Sequence, residues 1–165
     1  MNSFSESQKF RQWWLWAIVI GSVAIPFIDI VSDISKSNKP APIALIPGIT
    51  ITYLLVLALF AFMELRTTID ANGVSFQFLP FHLKPKVKSW DEIQSAYVRK
   101  YSPLGEFGGW GIRITFGKGT AYNVSGNMGL QLVLKNGKKL LVGTRHPDEI
   151  REVLKHLNKG ADPIS

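Results

Sequence analysis

From Pro40 to Met63 the chain carries no charged side chain over twenty-four consecutive positions, and from Ile49 the run reads ITITYLLVLALFAFM. A helix needs roughly 20 apolar residues to cross the hydrocarbon of a bilayer. Backbone amides and carbonyls in hydrocarbon must be paired within their own segment, so such a run has few options besides a helix. The sequence therefore predicts a transmembrane helix over about residues 42–63.

A second run, WWLWAIVIGSVAIPFIDIVSDI, is uncharged from Trp13 to Ile28 and then meets Asp29 and Asp33. A carboxylate costs less near a membrane boundary than at its centre, so a second span over about residues 13–31 is expected, with Asp29 at its end. Trp13, Trp14 and Trp16 stand at its start, where indoles settle at headgroup level. Lys9 and Arg11, followed by Ser22-Val23-Ala24, also fit the outline of a cleaved signal peptide. The long apolar run and Pro26 just beyond that site favour an uncleaved helix. Asp29 and Asp33 read as acids at a helix end rather than an ion site, because nothing basic faces them within the apolar spans.

Charge then divides the chain. Lys9, Arg11, Lys36 and Lys39 balance Glu6, Asp29, Asp33 and Glu64, so the whole net +7 of the 165 residues lies after Leu65, where fifteen Lys and Arg oppose eight acids. Residues 1–65 read as a membrane region and 66–165 as a separate domain. A basic domain beside an anionic leaflet is attracted by about 1 kcal/mol per basic residue close to the surface. Lys9, Arg11, Arg66, Lys84 and Lys86 flank the outer ends of the two spans, against Lys36 and Lys39 between them. That asymmetry places both termini on the cytoplasmic side. The chain has no cysteine, which removes disulfides, thiolate metal sites and a cysteine nucleophile.

Beyond Leu65 the pattern is that of strands. Thr67–Asp70 and Val74–Leu79 flank the turn sequence Ala71-Asn72-Gly73. Segments 83–89, 93–99, 111–116, 120–125, 129–135 and 138–144 follow, each bounded by Gly, Pro, Asn or Ser. Asn136-Gly137 is a strong hairpin signal, and Leu130, Leu132 and Leu134 alternate along one face. The last element is a helix opened by Pro147, Asp148 and Glu149, with Ile150, Val153, Leu154 and Leu157 in one apolar stripe. Seven or eight strands followed by one amphipathic helix predict a mainly-β or α+β domain, a sandwich or partly open barrel with a helical plug.

Three local sequences sharpen this. Trp90-Asp91-Glu92-Ile93 precedes one strand, Gly108-Gly109-Trp110-Gly111-Ile112-Arg113 another, and Asn136-Gly137-Lys138-Lys139 with Gly143-Thr144 lead to the proline-started helix. Together they resemble the membrane-associated bacterial pleckstrin-homology-like (PH-like) domains that follow two transmembrane helices. The resemblance covers roughly residues 13–157, and GGWGIR is its most specific part. It implies a PH-like split β-barrel of about seven strands capped by a C-terminal helix, in a bacterial inner-membrane protein, and it brings no catalytic residues or phosphoinositide motif with it.

Enzyme chemistries find no motif. Gly117-Lys118-Gly119 lacks the spacing and hydroxyl of a phosphate loop, and Gly109-Trp110-Gly111 leads into a strand rather than a helix. His82, His146 and His156 are scattered, without metal-ligand spacing, and no GxSxG elbow is present. No cofactor and no metal are expected. The Asn123-Val124-Ser125 sequon is too common by chance to carry weight. In GEFGGWGIR, Gly108, Gly109 and Gly111 are expected to make a tight entry into a strand, with Trp110 as its apolar anchor and Arg113 on the opposite face from Ile112 and Ile114.

The candidate for function is the stretch Phe78 to Lys88. Lys84, Lys86 and Lys88 share a face if extended, and Phe78 and Phe81 precede them. Aromatics beside a basic row suit contact with an anionic lipid surface. The same residues, with Pro85, also suit an edge strand protected against sheet pairing. The expected function is a non-enzymatic, membrane-anchored binding module for lipids or the membrane surface. The alternative is a subunit of a homo-oligomer or another membrane-protein assembly joined through sheet edges. Lys135, Lys138 and Lys139 read as a solvated turn, and no nucleic-acid motif appears.

Overall fold

The computed structural model describes residues 3–36 and 46–160. In chain order its elements are β1 (Phe4–Lys9), α1 (Trp13–Lys36), α2 (Ile46–Phe62), β2 (Glu64–Asp70), β3 (Gly73–Leu79), β4 (Lys86–Ser89), β5 (Ile93–Lys100), α3 (Pro103–Phe107), β6 (Gly111–Thr115), β7 (Gly119–Asn123), β8 (Met128–Leu134), β9 (Lys139–Gly143) and α4 (Pro147–His156). They form two units. The helices α1 and α2 make one, and the strands, α3 and α4 make the other. The division at residue 65 expected from composition is therefore corrected: the segment up to Lys9 belongs with the residues from Met63 onward.

In the helical unit, Trp13–Ile30 is long and apolar enough to cross a membrane. Eighteen residues at 1.5 Å each span about 27 Å, close to the roughly 30 Å of hydrocarbon. The described part of α2, 17 residues without a charge, spans about 25 Å. The expected start of that segment at residue 42 lies outside the described residues. Pro26 sits inside α1 and has no N–H for the carbonyl of Ser22 one turn back. The Tyr53 hydroxyl of α2 donates to that carbonyl at 3.1 Å. A helix-interrupting proline is tolerated in an apolar setting when a neighbouring helix satisfies the freed group in this way. Near the other end, Trp16 Nε1 donates to the carbonyl of Phe10, and Phe10 meets Phe60 edge to face.

The other unit is an α+β fold of two sheets that do not close into a barrel. Sheet A has the order β1-β2-β3-β4 and is antiparallel throughout. Sheet B has the order β5-β8-β9-β7-β6, with one parallel pair, β7 and β9. Among the described residues nine strands replace the expected seven or eight. The addition is β1, which precedes the apolar helices yet pairs with β2 along its whole length, from Phe4 opposite Ile69 to Lys9 opposite Glu64.

The alternation that betrays a strand is hidden in FSESQK because two of its three inward residues are polar. Their partners lie at the end of β9. Glu6 accepts from Thr144 Oγ1 at 2.7 Å and from Arg145 N at 2.9 Å, while Gln8 Nε2 donates to Gly143 O at 2.7 Å. Phe4, the third, joins Ile69 and Val74 of sheet A, Ala96, Leu130 and Leu132 of sheet B, and Ile150, Val153 and Leu154 of α4 in one core. The stripe expected on the last helix is thus the face it buries. Sheet B is also closely spaced at Gly119 (φ 89°), where a Cβ would fall 2.0 Å from the carbonyl oxygen of Lys139.

Candidate functional site

The register of sheet A fixes where the β3–β4 connection lies. Glu64 is opposite both Lys9 on β1 and Leu79 on β3. Residues 80–85 therefore leave the sheet at the same end at which the chain departs for the apolar helices after Lys9 and returns at Met63. Three groups brace this loop. Gln77 Nε2 donates to the carbonyls of His82 and Leu83 at 3.0 and 3.2 Å. His82 N donates to Phe78 O at 2.8 Å, and Phe78 N donates to His82 Nδ1 at 3.3 Å. Burial, and then the nearby Lys86 charge, hold the His82 pKa below its ordinary value, which favours the unprotonated Nδ1 that this bond needs.

So braced, the loop presents apolar side chains outward. Phe81 is 56% exposed and Leu83 87%, with Lys84 exposed beside them. Val87, on the outer face opposite Ser75, extends the patch. Glu64 at this end is neutralised rather than free. Arg66 bonds it through Nε at 2.7 Å and Nη2 at 3.1 Å and holds its carboxyl below the usual carboxylate range, with Ser7 Oγ donating a third bond.

The expected residues do not all meet here. Phe78 is completely buried and its ring centre lies 6.2 Å from that of Phe81, so it supports the loop from beneath rather than at the surface. The three lysines do not form one extended row, because Lys84 lies in a bend before β4 begins. Lys86 and Lys88 are opposite Phe76 and Val74, both buried, and so point to the inner face of the edge strand. Lys86 Nζ reaches within 5.7 Å of the Tyr122 ring centre, and Lys88 pairs with Glu92 at 3.2 Å. Inward-pointing lysines on an edge strand hinder further pairing at that edge, as the protective reading of these residues requires. Leu83 and the braces Gln77 and His82 carry no motif in the sequence. For Leu83 and His82 the only signal is a short polar-apolar segment enclosed by Pro80 and Pro85, and Gln77 lies before it in β3.

GEFGGWGIR forms a turn. Ser102 Oγ accepts from Gly105 N at 3.0 Å, and Glu106 reaches back to Ser102 N at 2.9 Å, opening the short helix α3. Gly108 (φ 70°) ends it, and its N–H and that of Gly109 close on the carbonyls of Leu104 and Pro103. The buried anchor is Phe107 rather than Trp110. Phe107 packs with Tyr101, Ala121 and Leu141 on the outer face of sheet B, whereas Trp110 is half-buried. Gly111 (φ 104°) enters β6, and Arg113 is exposed, donating through Nε to the carbonyl of Trp110. Trp90 is half-buried against the core and donates through Nε1 to Asp70 O at 2.9 Å. These residues hold the fold together.

Among the described residues no three His, Cys, Asp or Glu side chains converge as a metal site would require. His146 bonds Glu149 at the start of α4, and Asn123 is wholly buried. No protein-family model matches the chain, and no curated protein matches it at a significant level.

Proposed function

We propose that this chain is a membrane-anchored, non-enzymatic binding module whose PH-like double-sheet unit contacts anionic lipid through the β3–β4 loop. The observation that carries the reading is the shared register of Lys9, Glu64 and Leu79. It sets exposed Phe81, Leu83 and Lys84 at the end of sheet A where the chain enters and leaves its apolar segment. Apolar tips with an ammonium group beside them are suited to the headgroup region, the tips entering and the charge meeting phosphate. The pairing of Glu64 with Arg66 sets a guanidinium against a carboxylate that an anionic surface would otherwise repel at this end.

The Lys9–Glu64 register supports a two-span anchor. Residues opposite each other in an antiparallel pair are about 5 Å apart, so a chain that leaves at Lys9 and returns at Glu64 crosses a bilayer an even number of times. If α1 spans, α2 spans back. A signal peptide cut after Ala24 would remove β1 from the sheet, which counts against that reading. With the basic residues of the outer flanks, the proposed setting is a bacterial inner membrane with both termini in the cytoplasm.

Flotation with liposomes tests the lipid contact. The probe is a soluble chain in which Lys9 is joined to Glu64 by Asn-Gly, the two-residue turn suited to an antiparallel hairpin. It is expected to float with anionic liposomes at low salt, to release at high salt, and to ignore neutral liposomes. Changing Phe81→Ser, Leu83→Ser and Lys84→Glu together should weaken binding more than about tenfold, since each fully buried apolar side chain contributes about 1.5–3 kcal/mol. Equal flotation of the triple variant would reject this loop as the contact.

A further inference from the structure

From Phe107 to Pro147 the chain has six basic residues, Arg113, Lys118, Lys135, Lys138, Lys139 and Arg145, and not one Asp or Glu. This stretch contains β6 to β9 with their turns. The β6–β7 turn holds Lys118 and the β8–β9 turn Lys138, with Lys139 opening β9. The two turns border one open groove of about 310 Å³. Its apolar wall is unusually bare, with Ile114 84% and Phe116 105% exposed.

The bareness follows from the register. Ala96, Leu132, Leu140, Thr120 and Ile114 stand opposite one another in turn across the five strands, and so share one face. Ala96 and Leu132 at one end of that row are fully buried, and Ile114 at the other is almost fully exposed. The apolar inner face of sheet B thus runs past its cover onto β6. β6 is also the last strand of the sheet, hydrogen-bonded within it to β7 alone, so its other edge offers main-chain donors and acceptors. The protective features of β4, inward lysines and a neighbouring proline, have no counterpart along GIRIT.

We infer that this edge takes an extended acidic segment of a partner protein as a sixth strand of sheet B. Main-chain bonds to β6 would align it, an apolar side chain would cover Ile114 and Phe116, and its carboxylates would meet Lys118, Lys138 and Lys139. Charge selects the occupant. A second copy of this chain would bring its own basic turns against these, and like charges oppose such pairing. The groove also lies at the end of sheet B away from Gly143, whose carbonyl takes the bond from Gln8 beside the departure of the chain for its apolar segment. On the proposed membrane reading, that leaves the groove facing away from the lipid surface and free for a protein.

The test uses the full-length protein in neutral-lipid nanodiscs and a fluorescent peptide in which Glu alternates with Val and Phe. Saturable binding that weakens with salt is expected, with a loss of about tenfold or more in the Lys118→Glu, Lys138→Glu, Lys139→Glu variant and in the Ile114→Asp, Phe116→Ser variant. All five sites are at the surface, and an unchanged thermal melt would show that each variant folds. N-methylation of the peptide on one edge, which removes main-chain donors but no charge, should cost a similar factor. No saturable binding, or equal affinity for the charge-reversed variant, would overturn the proposal. Equal binding of the methylated peptide would reject strand addition. A probe at Phe116 that is shielded by anionic nanodiscs and not by the peptide would assign the groove to lipid instead.

Discussion

Deleting residues 1–9 is expected to unfold the double-sheet unit rather than trim it. The segment lies before the apolar helices, yet β1 contributes six paired positions to sheet A and places Phe4, 3% exposed, in the main core. Losing a buried phenylalanine alone costs about 3–5 kcal/mol, a large share of the roughly 5–15 kcal/mol that stabilises a typical domain. The deletion also strands Thr144 Oγ1, Arg145 N and the Gly143 carbonyl without Glu6 and Gln8, and it uncovers the edge of β2. A fragment beginning at Arg66 should therefore show no cooperative melt and should be degraded rapidly by protease. The chain with Lys9 joined to Glu64 through Asn-Gly should melt cooperatively. If both fragments melted at the same temperature, β1 would be an ornament of the sheet and not a part of its core.

The second large effect is all-or-none labelling across the membrane. Single cysteines at Ser5, Lys36 and Lys159, all exposed positions, can each be read without background because the chain has none of its own. A membrane-impermeant maleimide applied to sealed vesicles of one orientation should reach Ser5→Cys and Lys159→Cys from one side and Lys36→Cys only from the other. The physical ground is distance. A single crossing would hold the two flanks of the apolar segment about 30 Å apart, whereas Lys9 and Glu64 are strand partners about 5 Å apart. Labelling of all three from the same side would mean that α1 does not span. Labelling of Ser5→Cys and Lys159→Cys from opposite sides would mean that β1 and β2 do not pair in the membrane.

What the sequence revealed and what it concealed divide along physical lines. Elements whose residues serve the core announce themselves: the alternation of Leu130, Leu132 and Leu134, the Asn136-Gly137 turn, and the stripe of α4 all sit where pattern placed them. β1 was hidden because Glu6 and Gln8 point inward toward partners more than a hundred residues away, a match that no local window contains. The candidate loop was half legible. Its position could be read, but alternation misassigned its side chains, because β3 ends with Phe78 facing in and Pro80 to Pro85 is a braced bend in which Leu83 faces out. The bare end of sheet B was likewise illegible, since Ile112 and Ile114 read as ordinary core residues until the register shows that the cover stops short of β6.

The most direct measurement is the depth of residue 83 in the full-length protein. An environment-sensitive fluorophore on Leu83→Cys, in bilayers containing anionic lipid, should shift to the blue and be quenched by lipids spin-labelled near the headgroup. The same fluorophore on Phe116→Cys should stay in water. Replacing the anionic lipid with neutral lipid, or raising the salt, should return residue 83 toward the aqueous signal. A Leu83→Cys probe as wet as the Phe116→Cys probe in anionic bilayers would contradict the lipid contact.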